Sequence, residues 1–459
     1  MAGIGFVLRR LAKQDNLTGL AQAYTHSALA ATGPWLFTVI ALGVISAISG
    51  RTLDLDSVLN FRGIIIYNFC FSLVLTSPVF MVATRYLADS IYAKDVSDAP
   101  GLLIGSLLIC YAFGFPLAIW FYGFHLDLPA ETMFLAILNF SLVCAVWLVS
   151  IFLTALKDYM SITNAFGIGM LLAFILSAIF ARPYGDTGML AGFTMGIVYI
   201  LGGLVARIFV EYPYAFKKPF NILPYFYRYW QVALGGLFYN MAVWVDKWVM
   251  WFSPQSETLS NGLVMYPNYD SAMFLAYLTI VPSMAIFIFS IETTFFEEYL
   301  KFYRDIQNKA TYKKIERNHQ GMVAVIFGSA RNFIVLQGSV CLLAIFMAPQ
   351  IFDLLRINYL QLGIFRYGVL GALFHVLSMF LLILLSYFDN RRDTLLIQFM
   401  FFAMNGIFTY ASMQFGFEYY GYGYFLSSAL TFVISGVVIA RYVMRLPYHT
   451  FITTNSSLR

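Results

Sequence analysis

Residues 101–122 read GLLIGSLLICYAFGFPLAIWFY, an apolar run without one charged side chain. A helix needs roughly 20 such residues to cross a hydrocarbon core about 30 Å thick, with every backbone amide satisfied inside its own segment. This stretch meets that requirement. Similar runs lie near residues 20–49 and 61–87 before it, and near 131–155, 161–180 and 188–209 after it. A second six lie near 230–252, 269–291, 322–348, 365–388, 394–414 and 422–443. The chain of 459 residues is 60% hydrophobic and 11% charged, where a typical soluble domain is roughly 25% charged. The expected fold class is therefore an all-α polytopic membrane protein with about twelve transmembrane helices. Ala28-Leu29-Ala30 imitates a signal-peptide cleavage site, but polar Gln22 and His26 precede it and the apolar run continues to Ile48. It reads as a span.

The formal charge of +5 does not gather into one basic face, so nucleic acid is not an expected partner. The charge instead sets topology, because cytoplasmic loops hold the excess of Lys and Arg. Loops on one side collect 22 of the 28 basic residues, among them Arg9, Lys94, Lys157, Lys217, Lys313 and Arg392. The other side holds five, Arg51, Arg62, Arg182, Arg356 and Arg366, and Lys247 remains inside a span. Both termini are thus expected in the cytoplasm, which requires an even number of spans.

The expected domain plan has a first lobe at 1–210, a linker at 211–229, a second lobe at 230–443 and a tail at 444–459. The linker, EYPYAFKKPFNILPYFYRY, is Pro-rich, aromatic and basic. Lys157-Asp158-Tyr159 in the first half has a counterpart in Tyr387-Phe388-Asp389-Asn390-Arg391-Arg392 in the second, the kind of weak repeat seen in transporters. Residues 292–320 form the most charged stretch. Tyr299, Tyr303, Ile306 and Ala310 recur at helical spacing, with Glu297–Lys301 and Asp305–Lys309 as i,i+4 pairs. This predicts one amphipathic helix on the cytoplasmic side. Tyr299, Tyr303 and Ile306 would dock a partner, or the helix would lie against solvent or the membrane surface.

Catalytic and cofactor motifs are missing. There is no GxxxxGK[ST], HExxH or GxSxG pattern, so neither an enzyme nor a cofactor is expected. Cys70, Cys110, Cys144 and Cys341 lie apart within apolar runs and suggest neither a metal nor disulfides. The informative span is the seventh, WQVALGGLFYNMAVWVDKWVMWF. From Asn240, residues Trp244, Lys247 and Trp251 follow at i+4, i+7 and i+11, on one face. Aromatic rings beside a hydrogen-bond donor suit a sugar, with its apolar C–H faces and polar edges. Asp246 falls about 100° away on the wheel, so its pairing with Lys247 is not implied. Three readings stand together: a lining for passing glycan, an interfacial belt with a snorkelling lysine, or a buried structural ion pair. Arg62 opens the second span, whose Asn68, Ser72 and Thr76 read first as helix–helix glue and second as a pathway. His26 and His375 read as packed, hydrogen-bonded histidines before they read as proton relays.

Several landmarks carry a family resemblance. They are Met1-Ala2-Gly3-Ile4-Gly5-Phe6, Leu8-Arg9-Arg10-Leu11, Gly33-Pro34-Trp35, Asn240-Met241-Ala242-Val243-Trp244-Val245-Asp246-Lys247, Phe274-Leu275-Ala276-Tyr277-Leu278 with Pro282, Glu292-Thr293, and Tyr387-Phe388-Asp389-Asn390-Arg391-Arg392. Together they resemble the Pel exopolysaccharide transporter (PelG) family, with Val7 where an acidic residue is expected. The resemblance implies two six-helix lobes of the multidrug/oligosaccharidyl-lipid/polysaccharide (MOP) type, as in MATE proteins. It also implies export of a hexosamine-rich polysaccharide, or its lipid-linked precursor, across the bacterial inner membrane. The implied partners are a cytoplasmic glycosyltransferase and small membrane subunits. A cation-coupled exporter of drugs or lipid-linked oligosaccharide with the same fold would need a carboxylate deep in one lobe, for which Asp246 is the candidate. An intramembrane glycosyl- or acyltransferase would need an acid or histidine motif that the sequence does not supply.

Overall fold

The computed structural model describes residues 17–50, 53–156, 158–284, 290–355 and 357–453. They form helices α1 (Leu17–Ser49), α2 (Leu55–Tyr92), α3 (Ala99–Phe124), α4 (Ala130–Ala155), α5 (Tyr159–Glu211), α6 (Leu223–Arg228) and α7 (Trp230–Met250). A small hairpin follows, β1 (Glu257–Thr258) and β2 (Val264–Met265). Next come α8 (Pro267–Leu278), α9 (Phe296–Gln307), α10 (Tyr312–Phe346), α11 (Ala348–Leu355), α12 (Leu362–Tyr387), α13 (Arg391–Phe415) and α14 (Tyr422–Met444). Among the described residues nine helices are long and apolar enough to cross a membrane. One of these, α5, is two crossings. Its 53 residues turn back at Gly185, which takes the left-handed φ of 58° that a side chain would resist. With α7 and the segment that opens at α8, the pattern accommodates the twelve spans read from the sequence.

The described residues gather into two compact units, one from Thr32 to Pro267 and the other from Asn268 onward together with residues 17–31. In the first, small residues bring backbones together where lipid offers no hydrophobic drive. A Cβ on Gly192 would come within 2.2 Å of the Ser177 nitrogen, and one on Gly196 within 2.5 Å of the Gly169 carbonyl, so the two arms of α5 need glycine there. The polar stripe on α2 is glue, as first read. Asn68 donates to Asn139 Oδ1 at 2.9 Å and accepts from the Tyr122 hydroxyl at 2.6 Å, and Asn139 donates to Thr194 at 3.1 Å. Four elements are thereby tied at fully buried positions, with every amide oxygen and nitrogen given a partner. Trp147 donates to Ser72 from α4 in the same manner.

Helix α7 was expected to open the second half, yet by its contacts it belongs with the first unit. The site of a Gly236 Cβ lies 2.4 Å from the Met81 side chain, and the Tyr229 hydroxyl donates to Asp89 at 3.0 Å. The preceding 211–229 segment is not loosely strung either. A Cβ on Gly101 or Gly105 would fall 1.7 Å from the carbonyl oxygen of Lys217 or Pro219, so this backbone lies directly on α3.

In the second unit, His375 is packed as the histidine of a hydrogen bond, 2.8 Å from the Tyr424 hydroxyl. The predicted single helix over 292–320 is instead two helices. It breaks after Gln307, where Lys309 adopts a φ of 53°, and resumes as the long α10. Asp305 does not pair with Lys309. It accepts from Lys314 at 2.9 Å and Asn318 at 2.6 Å across the turn, and Lys301 pairs with Glu298. His26 and residues 1–16 lie outside the side chains described.

Candidate functional site

The seventh span runs as α7 along α2, and this packing decides what each candidate residue can do. Asp246 is 0% exposed and Lys247 6%. The Lys247 ammonium donates to both Asp246 carboxylate oxygens at 3.0 Å and to the Val243 carbonyl one turn back, also at 3.0 Å. The 100° offset on the helical wheel therefore did not keep the two apart. The four-carbon lysine stem folds along the helix toward the carboxylate of its neighbour. In a low-dielectric setting the attraction of two opposite charges this close offsets part of the cost of burying each. The buried ion pair, one of three readings left open, is the arrangement present.

The tryptophans divide their roles. Trp244 is half-buried and faces the lysine, with Nζ 5.9 Å from a ring centroid, within reach of a cation–π contact. Trp251 is buried and stacks on Tyr67, centroids 4.6 Å apart at 11°, and Tyr67 stacks in turn on Phe121. Its ring face is spent inside the protein, which corrects the expectation that Trp251 faces a passing sugar. Asn240 is half-buried and donates to the Gly236 carbonyl of its own helix at 3.0 Å. Arg62 is half-buried near the start of α2.

Trp248 is the residue that sequence reasoning passed over. It lies flat on Phe71 at 5.5 Å and 3°, and its indole N–H donates to the Cys70 sulfur at 3.2 Å. One position past Lys247 it falls on the side of α7 that meets α2, and a count restricted to the Asn240 face could not reach it. Beside this stack lies a cavity of about 250 Å³, lined by Tyr67, Phe71, Trp120 and Phe140, with Asn68 and Tyr122 as its polar members. Hairpin β1–β2 lies against the same end of the unit. The Tyr67 hydroxyl donates to the Val264 carbonyl at 2.6 Å, and Asn60 donates to Ser260 at 2.9 Å.

In the second unit the aromatic face of α9 turns inward. Tyr299 donates to the Tyr387 carbonyl at 3.2 Å and packs on Tyr303, Tyr387 and Phe388, and burial pushes the Tyr303 phenol upward. Ile306 is half-buried on the same helix. The docking expectation thus loses the free face of Tyr299, because the chain's own 387–388 turn already covers it.

This helical architecture defines the class. Solved structures of similar fold include the outward-facing conformation of a multidrug resistance MATE family transporter of the MOP superfamily, with TM-score 0.67 and 15% identity. That match covers 93% of this chain and 96% of the other. A MOP superfamily transporter from Pyrococcus furiosus gives 0.65 and 14%, with 93% and 96% covered. The inward-facing conformation of a MATE family transporter gives 0.62 and 15%, with 91% and 99% covered. The chain is a multi-pass membrane protein with the MOP-type fold. Residues 1–451 match the PelG family, described as "Putative exopolysaccharide Exporter (EPS-E)", and the chain belongs to that family. No curated protein sequence matches it. Exopolysaccharide transport is thereby the function, and the drug-exporter alternative is not favoured.

Proposed function

We propose that the chain carries its glycan across the bacterial inner membrane past α7, with the Asp246–Lys247 pair and Trp244 as the polar and aromatic groups that meet it. The observation behind this reading is the pair itself, an acid and a base fully buried within an apolar span of an exporter. Such groups are costly in a bilayer, with about 2.5 to 3.5 kcal/mol for one charge at a helix centre, and usually serve a pathway. The ammonium has three acceptors in the arrangement present. Sugar hydroxyls or a diphosphate linker would compete for it as the glycan arrives. The working partners in this reading are a cytoplasmic glycosyltransferase and small membrane subunits, both termini face the cytoplasm, and no bond chemistry is carried out by the chain.

A paired substitution tests it. Lys247→Met alone leaves Asp246 buried without its partner, so loss of export could come from misfolding. Asp246→Asn with Lys247→Met removes both charges. Polysaccharide export is measured beside the amount of folded protein in the membrane. The reading expects normal amounts of the double variant with export reduced; normal export at normal amounts removes the pair from the pathway and makes it purely structural. Co-purification with a cytoplasmic glycosyltransferase tests the partner.

A further inference from the structure

The segment from Tyr212 to Tyr229 is fixed from beneath and bare above. Its backbone is pinned where the Lys217 and Pro219 carbonyls lie on Gly101 and Gly105. Tyr212 is buried and donates to the Phe152 carbonyl, Asn221 donates to Asp98 at 3.3 Å, and Tyr229 is clamped between Asp89 and the Arg85 guanidinium. These anchors use the inward side chains. What remains outward is aromatic and basic: Phe216, Phe220 at 55% exposure and Tyr227 at 90%, with Lys217, Lys218 and Arg228 exposed among them. From Tyr212 to Val245 the chain contains no Asp or Glu.

We infer that this elbow is a membrane-interface anchor that seats on anionic lipid headgroups at its end of the unit. Position supports that occupant. The elbow joins the end of α5 to the start of α7, and the end of α2 and the start of α3 lie against it, so it stands at the level where apolar spans leave the hydrocarbon. Composition supports it as well, since amphipathic rings settle at the headgroup level and each nearby Lys or Arg gains from a negative leaflet. A rigid backbone would make the contact strong for so short a segment, because the rings are already held outward and little ordering remains to be done on binding. A cytoplasmic protein could in principle cover the same rings, and the test separates the two.

A spin label is placed at Phe220→Cys, the four native cysteines being buried. The full-length protein is then reconstituted in nanodiscs of phosphatidylcholine alone or with phosphatidylglycerol. Oxygen, which concentrates in lipid, should relax the label more than a water-soluble nickel reagent does. Phosphatidylglycerol should widen that difference, and Lys217→Gln with Lys218→Gln should shrink it by about twofold or more. A label as open to the nickel reagent in nanodiscs as in detergent overturns the proposal. So does a label shielded only after cytoplasmic extract is added, since the surface would then belong to a protein. A labelled variant that fails to fold is replaced by Tyr227→Cys, which is bare on the same surface and makes the same prediction.

Discussion

At the scale of the residue, Asp246 and Lys247 show how a charge pair survives where a single charge would not. Removing one member of a buried pair costs about 3 to 5 kcal/mol, because the survivor is left uncompensated. Lys247→Met should therefore lower the thermal stability of the purified protein in detergent markedly, whereas Asp246→Asn combined with Lys247→Met should recover most of it. Equal melting temperatures for the single and double variants would show that the charges are not coupled. The pair was only half legible in the sequence. Its two members and their cost could be read from an apolar span, but the wheel angle argued against their contact, and only the curl of the lysine stem resolves it. Trp251 was misread for a related reason. Helical spacing tells which residues share a face and says nothing of what that face meets, which here is Tyr67.

Among the elements, the short turn between α9 and α10 depends on Asp305, whose carboxyl the Lys314 ammonium holds below the usual range, with Asn318 helping and burial opposing. A lowered carboxyl stabilises the fold fully above the ordinary aspartate value of about 3.9 and loses that contribution as pH falls through its own lower value. Amide exchange in residues 305–314 should accordingly quicken below that range, after correction for the intrinsic pH dependence of exchange. Asp305→Asn should show the faster exchange already at neutral pH. The seam between α3 and the elbow makes a steric prediction. Gly105→Val asks for a side chain where the Pro219 carbonyl already lies, so the elbow must lift and proteolysis at residues 213–221 should rise, while Gly202→Val, at an open position, should leave it unchanged. Apolar runs made the spans legible, and the charged 292–320 stretch was legible as helical. That its aromatic face is covered by residues 387–388 of the same chain could not be read, since an amphipathic face looks the same whether its cover is nearby or foreign.

On the scale of the whole molecule, the alternation of basic loops makes the orientation testable. A reporter fused after Asn318 should signal from the cytoplasm, as should one after Arg392, whereas one placed at Asp127 should signal from outside; reversal of any one overturns the assignment. Family membership rested on landmarks spread along the chain, and those were present in the sequence, but the grouping of α7 with α2 was not, because lobe boundaries drawn from loops ignore which helix a glycine admits. Gly185 carries a different kind of consequence, one for synthesis. The two arms of α5 are separated by a turn too short to wait in water, and each supplies the small-residue groove into which the other fits. The expected unit of insertion is therefore the hairpin of both arms. A chain that ends at Gly185 would leave Gly169 and Ala173 without the Gly196 backbone that closes on them.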